Sequence, residues 1–292
     1  MGRNIVKAKL DVIFKRLFAD EENLDLLHDL LASLLEIPHD SITNIVVQNP
    51  EIMPDSISGK FSRMDLKLTV NDSLVNVEMQ IKDEPDFRDR VLFYWAKLYS
   101  GDLKSGDEYG DLRQSISINI VNFNMFDCPE YHSVFKIEET TRHEILSDKC
   151  AIHFFELKKI NRKKADENNR MELWLQLVNA ESEEELDMLQ NTNVPEIKKA
   201  VRVIHRMSDD EKLRELAEMR EKALHVEATA LGHAKREGID IGIGIGIKQG
   251  MQQGIQQGIN QGRQEAHDAF IEQMKLSGIP QETIDMIIGK LK

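Results

Sequence analysis

Cysteine is nearly absent from this 292-residue chain: Cys128 and Cys150 are the only two, and they have no CxxC spacing. Neither a disulfide framework nor a thiolate metal site is indicated, and a reducing cytoplasm suits that usage. The histidines show no HxxxH or HxH spacing, which argues against a histidine-built zinc site. Long apolar runs are missing too. The opening MGRNIVKAKLDVIFKRLF breaks its apolar residues with charges, so it lacks the core of a signal peptide, and no uninterrupted run reaches membrane-spanning length. A soluble protein with no membrane contact is therefore expected. Positive charge is also scarce: 38 Lys and Arg stand against 51 Asp and Glu, a net charge of -13. Such a balance excludes a basic protein that coats nucleic acid non-specifically, but not a nuclease. An enzyme needs only a local basic rim, and its acidic remainder limits non-specific adhesion.

What is present first is helical period. In residues 8–36, Leu10, Ile13, Phe14, Leu17 and Phe18, then Leu24, Leu27, Leu30, Leu31, Leu34 and Leu35, recur at helical spacing, with the polar ADEEN dividing them into two helices. TNIVV (43–47) reads as a short strand and NPEIMPDSISGK as a Pro/Gly/Ser loop. Residues 86–104 return to helical period around Val91, Tyr94, Trp95 and Leu98, and SISINIVNFNMF (115–126) alternates as a strand. AIHFFELKKI (151–160) reads as a further buried strand that leaves through the basic KKINRKK, either a solvated loop or a rim for phosphates. Helix, strand, hairpin, helix and strand in that order give a compact α/β layer.

The hairpin is MDLKLTVNDSLVNVEMQIK, residues 64–82. Leu66, Leu68 and Val70 alternate on its first strand and Val75, Val77, Met79 and Ile81 on its second, so these form the dry side. The opposite, wet side carries Asp65, Lys67 and Thr69, then Asn76, Glu78, Gln80 and Lys82. Apolar must sit opposite apolar, which allows two antiparallel registers: Asp65 lies directly opposite Glu78 in one and diagonal to it in the other. Facing carboxylates destabilise a sheet unless a cation lies between them, and a hard divalent ion such as Mg²⁺ suits oxygen ligands. An ordinary half-solvated hairpin with scattered charges fits the same spacing.

Residues 166–236 are charged and helical, with MELWLQLVNA and ESEEELDMLQ as segments before Pro195. Beyond them Gly238, Gly242, Gly246, Gly250, Gly254, Gly258 and Gly262 recur with a period of four, beside Ile239, Ile243, Ile247, Met251, Ile255 and Ile259. Each glycine costs a helix about 1 kcal/mol relative to Ala, so a helix here needs compensation. Close backbone approach to a second copy supplies it, with a right-handed wrap because the rows drift by about 40° per repeat. A flexible low-complexity linker is the other reading. The end, HDAFIEQMKLSGIPQETIDMIIGKLK, reads as two short helices around Ser277-Gly278.

Taken together, DVIFKRLF (11–18), the Asp65 strand, VEMQIK with Glu78-x-Gln80, RDRVLFYWAKLY and IHFFELKKI resemble the recombination-promoting nuclease and transposase group of the PD-(D/E)XK nuclease superfamily. The resemblance implies an α/β, restriction-endonuclease-like core, a mixed sheet flanked by helices, followed by a helical C-terminal region. The resemblance covers most of the first 160 residues, a nuclease domain at 1–162; the sequence pattern adds a helical domain at 163–236, the glycine-repeat segment at 237–263, an oligomerisation helix or linker, and a helical hairpin at 264–292. The resemblance implies cleavage of DNA phosphodiesters with Mg²⁺, or Mn²⁺, held by Asp65, Glu78 and the Met79 carbonyl. Gln80 departs from the superfamily's lysine and orients only by hydrogen bonds, so Lys82, or Lys15 from the first helix, would supply the missing charge. Asp11 stands beside the metal on this reading, or forms a plain i,i+4 pair with Lys15. Arg88 and Arg90 either meet a phosphate backbone or, for Arg90, pair with Asp86. The expected activity is a metal-dependent DNA endonuclease serving recombination, mobile elements or phage defence. The alternative is an inactive nuclease-fold scaffold that assembles through its repeat.

Overall fold

The computed structural model describes residues 4–48 and 66–291. Asp65 and the loop expected over 49–60 lie outside the described residues. Within unit one, Met1–His225, the chain begins with helices α1 (Asp11–Ala19) and α2 (Leu24–Leu34). The break between them falls in ADEEN as expected, because the Asp20 side chain accepts from the Glu22 amide at 3.0 Å and starts a new turn. Strand β1 (Ile45–Val47) follows, and then β2 (Leu66–Val70) and β3 (Ser73–Gln80) form the expected hairpin. Its two-residue turn places Asn71 at φ 50°, a left-handed position that asparagine tolerates, and the Asn71 side chain accepts from the Thr43 and Asn44 amides. Next come α3 (Phe87–Ser100), β4 (Ser115–Val121), β5 (His132–Phe135) and β6 (Cys150–Glu156).

These strands form one mixed sheet in the order β1-β2-β3-β4-β6-β5, with β3, β4 and β6 parallel in its middle and the other pairs antiparallel. The hairpin register pairs Leu66 with Val77 and Val70 with Ser73. That selects the first of the two registers the hydrophobic alternation allowed. Strand β5 was not foreseen: a four-residue edge strand beginning with His and Ser offers too short an alternation to read.

One face of the sheet carries the larger core. Leu66, Leu68, Val75, Val77, Ile116, Ile118 and Phe155 pack there against α1 and α2. Helices α4 (Arg170–Asn179), α5 (Glu183–Gln190) and α6 (Pro195–Asp209) join the same cluster through Leu173, Trp174, Leu177, Leu186 and Ile197. Residues 170–209, expected to close a helical domain of their own, therefore complete the core of the sheet. Their amphipathic faces match α1 and α2, which would otherwise expose Phe14, Phe18 and a leucine-rich surface. The other face of the sheet holds a small cluster of Phe87, Val91, Val121, Cys150, Ile152 and Phe154 under α3.

Helix α7 (Glu211–Leu276) begins in unit one, where Leu213, Leu216, Ala217 and Leu224 pack on the larger core. Unit two, Val226–Lys292, holds the remainder of α7 and α8 (Gln281–Leu291). The glycine repeat lies within α7 and is helical throughout. Gly278, at φ 76°, closes α7 with a bond from the Ile279 amide to the Met274 carbonyl. Among the described residues no helix is long and apolar enough to cross a membrane.

Candidate active site at the centre of the sheet

Strand β3 is a central strand, and this changes the character of its polar side. Asn76 and Glu78, expected on a wet face, are 3% and 7% exposed. The loop after β3 returns the chain so that α3 lies over that face, anchored by Phe87 and Val91 on Val121, Ile152 and Phe154. The expectation of a half-solvated hairpin is thus corrected: both faces of β3 are covered.

The buried polar strip continues onto β4. Its sequence alternates Ile116, Ile118 and Ile120 toward the larger core with Ser115, Ser117 and Asn119 toward α3. In the parallel register Asn76 stands beside Ser117 and Glu78 beside Asn119. Asn119 donates to the His153 carbonyl at 3.0 Å and to Ser117 Oγ at 3.1 Å. The side-chain oxygens Asn76 Oδ1 and Ser115 Oγ are buried without a hydrogen-bond partner among the described residues. SISIN carried the signal for this strip, since small polar residues alternating with Ile in a central strand must bury the polar set as well.

Arg90 of α3 reaches back over the strip. Its Nη2 donates to Gln80 Oε1 at 3.0 Å and lies 4.0 Å from Glu78 Oε1, while Nη1 pairs with Glu84. Gln80 Nε2 donates to the Lys82 carbonyl at 2.8 Å, so the amide oxygen is left turned to Arg90. The guanidinium also sits 5.1 Å over the Phe87 ring. Of the two readings offered for Arg90 in the sequence, the ion pair with Asp86 does not form: its ion partner is Glu84, and it also contacts the strand that carries Glu78. Arg88 turns away, donating to the Met125 carbonyl at 2.5 Å over the Phe126 ring.

Burial pushes the Glu78 carboxyl up to about 7; nearby Arg90 opposes the shift and Glu84 adds to it. A carboxylate held in this state is costly to charge without a cation, which is the behaviour of a metal ligand or a general base.

At the C-terminal edge of the sheet Gln80, Val121 and Glu156 stand in register across β3, β4 and β6. Glu156 is fully buried and accepts from the Met125 amide at 2.5 Å, the Phe126 amide at 3.2 Å and Lys159 Nζ at 2.6 Å. Part of the basic run 158–164 is therefore engaged by acids: Lys159 by Glu156, and Arg162 by Glu185 at 2.7 Å. Lys158, Lys163 and Lys164 are exposed.

The other nominated residues lie as follows. Met79 shares β3 with Glu78 and buries its side chain in the larger core. Asp11 pairs with Arg220 Nε of α7 at 2.8 Å. Lys15 is buried on α1, which packs against β3. Asp65 lies outside the described residues. Among the described residues no three His, Cys, Asp or Glu side chains gather as a metal site. The strip offers all-oxygen donors, the Glu78 carboxylate and the unpartnered Asn76 Oδ1, which suit a hard divalent cation once a second carboxylate joins them.

Comparison with known proteins adds one match: a family model described as PD-(D/E)XK nuclease family transposase covers residues 8–234. No curated protein and no solved structure matched the sequence.

Proposed function

Because the chain belongs to the PD-(D/E)XK nuclease family transposases, we propose that it is a divalent-metal-dependent endodeoxyribonuclease that hydrolyses DNA phosphodiesters in the cytoplasm. The observation that carries this reading is Glu78: a buried carboxylate on a central strand, pushed up to about 7, followed two residues later by Gln80 and overlooked by Arg90. Asp65 is the second carboxylate. The described register pairs Leu66 with Val77, the first of the two that the hydrophobic alternation allows.

Asp65, Glu78 and the Met79 carbonyl would hold Mg²⁺, or Mn²⁺ in its place; when bound, such an ion activates water and neutralises charge on the phosphate. Burial makes the Glu78 carboxyl hold its proton up to about 7, so a cation held there would have to displace that proton and its binding would strengthen as pH rises. Water then supplies the new P–O bond, one P–O bond of the backbone breaks, and the proton passes to the leaving oxygen. Asn119 and Ser117 hold the neighbouring strand in place beneath Glu78, so the carboxylate does not need to reorganise.

We also assign self-association to residues 238–262. Along that stretch of α7 Ile239, Ile243, Ile247, Met251, Ile255 and Ile259 are exposed, and a Cβ added at any of the seven repeat glycines would meet nothing within 4 Å. Lys248 is the only charged residue between Ile241 and Gly262, so little charge there opposes a second copy.

Supercoiled plasmid incubated with the protein and Mg²⁺ tests the activity. Nicking or linearisation that disappears with EDTA, with Asp65→Ala and with Glu78→Gln is expected. Intact plasmid with retained metal binding would favour the second reading, an inactive nuclease-fold scaffold, for which Gln80 in place of a lysine is the specific argument.

A further inference from the structure

Cleaving a phosphodiester builds negative charge on the phosphate, and a site whose described acid is buried needs a cation facing it. Strand β3 offers none: SLVNVEMQ has no basic residue. Helix α3 brings one against it. Arg90 is held at both ends of its guanidinium, by Glu84 at Nη1 and by Gln80 at Nη2, 4.0 Å from Glu78. Its Nε–H is buried and has no acceptor among the described residues. A buried, unpaired donor on a charged group costs free energy in a merely structural role, and is satisfied when an anion enters.

Resting on the nuclease reading above, we propose that Arg90 is the phosphate-contacting cation of this site and that Gln80 is its positioning residue. The neutral amide at position 80 is then a holder for a charge displaced from the strand to the helix, not a lost function. Gln80 is suited to that task because its own Nε2 is committed to the Lys82 carbonyl, which fixes Oε1 toward Arg90. Glu84 is exposed at its edge and competes with the incoming phosphate for the same guanidinium.

The test uses the full chain as wild type, Arg90→Ala, Arg90→Lys, Glu84→Gln, and the double variant Gln80→Lys with Arg90→Ala. Plasmid nicking in Mg²⁺, Mn²⁺ affinity by calorimetry, and the salt dependence of binding to a fluorescent DNA duplex without divalent metal are measured for each. Arg90→Ala is expected to slow nicking by about a hundredfold or more and to lower the salt slope by about one, with Mn²⁺ still bound. Glu84→Gln should tighten duplex binding, Arg90→Lys should keep part of the activity, and the double variant should recover part of it by returning charge to the strand. Wild-type nicking and an unchanged salt slope in Arg90→Ala would overturn the assignment, as would loss of Mn²⁺ binding with no recovery in either lysine variant. If wild type itself does not nick, the nuclease reading fails, and the salt slope alone then decides whether Arg90 meets phosphate.

Discussion

The indole Nε1 of Trp174, on α4, donates to the Asp29 carboxylate of α2 at 2.7 Å, in a core that excludes both side chains from solvent. Arg170 reaches the other Asp29 oxygen at 2.6 Å, and the Trp174 ring meets Phe18 edge-on with centroids 5.8 Å apart. The bond joins the first helices of the chain to those that follow the sheet, and makes them one folding unit.

A chain ending at residue 162 should therefore fail to fold. It would leave the α1 and α2 surface around Phe14, Phe18 and Leu30 uncovered, and circular dichroism should show no cooperative thermal transition. In the full chain Asp29→Ala should cost about 2–3 kcal/mol in urea titration, because the Trp174 N–H loses its acceptor in a dry site. A well-folded 1–162 fragment would contradict this packing.

Replacing Glu78 separates function from stability. Its carboxyl ionises near 7 when folded and near the ordinary 4.5 when unfolded, so the folded state holds the extra proton between those values. Stability of the metal-free protein then falls as pH rises through that window, by up to about 3 kcal/mol. Glu78→Gln should abolish cleavage yet raise the melting temperature at pH 8 without metal, and the gain should vanish at pH 4. A variant less stable than wild type at pH 8 would mean that Glu78 holds the strip together.

Much of this was legible in the sequence because period and alternation report on one buried face. The α1 and α2 leucines, the dry side of the 64–82 hairpin and the Ile set of β4 all declared themselves that way. What alternation hides is a second covered face. Asn76 and Glu78 read as solvated because polar residues usually are, and only the strand order, with β3 between β2 and β4 under α3, buries them. The Arg90–Gln80 bond, the Asp11–Arg220 pair and the Glu156 anchor were illegible for a related reason: each joins elements whose contact depends on topology, the second across 209 residues.

His153, on β6, gives the protein an acid-side sensitivity of its own. Its Nδ1 lies 3.1 Å from His132 Nε2, and burial, with His132 and Lys136 nearby, pulls its pKa down to about 4. The unfolded chain binds a proton near the ordinary 6.5 that the folded one refuses until about 4. Stability thus falls as pH drops through that window, by at most about 3 kcal/mol. His153→Gln should remove this part of the fall in stability between pH 7 and pH 4, so that its urea-titration curve against pH is shallower than that of wild type. Parallel pH curves for the two proteins would show that His153 is protonated without cost.

The glycine repeat yields the prediction with the clearest internal control. Gly250→Ala with Gly254→Ala adds methyls that meet nothing within 4 Å among the described residues beyond the helix's own adjoining backbone, so the isolated helix should gain about 1 kcal/mol per site. If two copies approach through the glycine row, the same methyls hold the backbones apart and weaken the assembly. The expected result is unchanged or higher helicity by circular dichroism with a lower solution mass by light scattering at equal concentration. A chain ending at Arg236 should lose the assembly altogether. If that shortened chain keeps the subunit number of the full one, self-association does not run through residues 238–262, and the exposed isoleucines need another explanation.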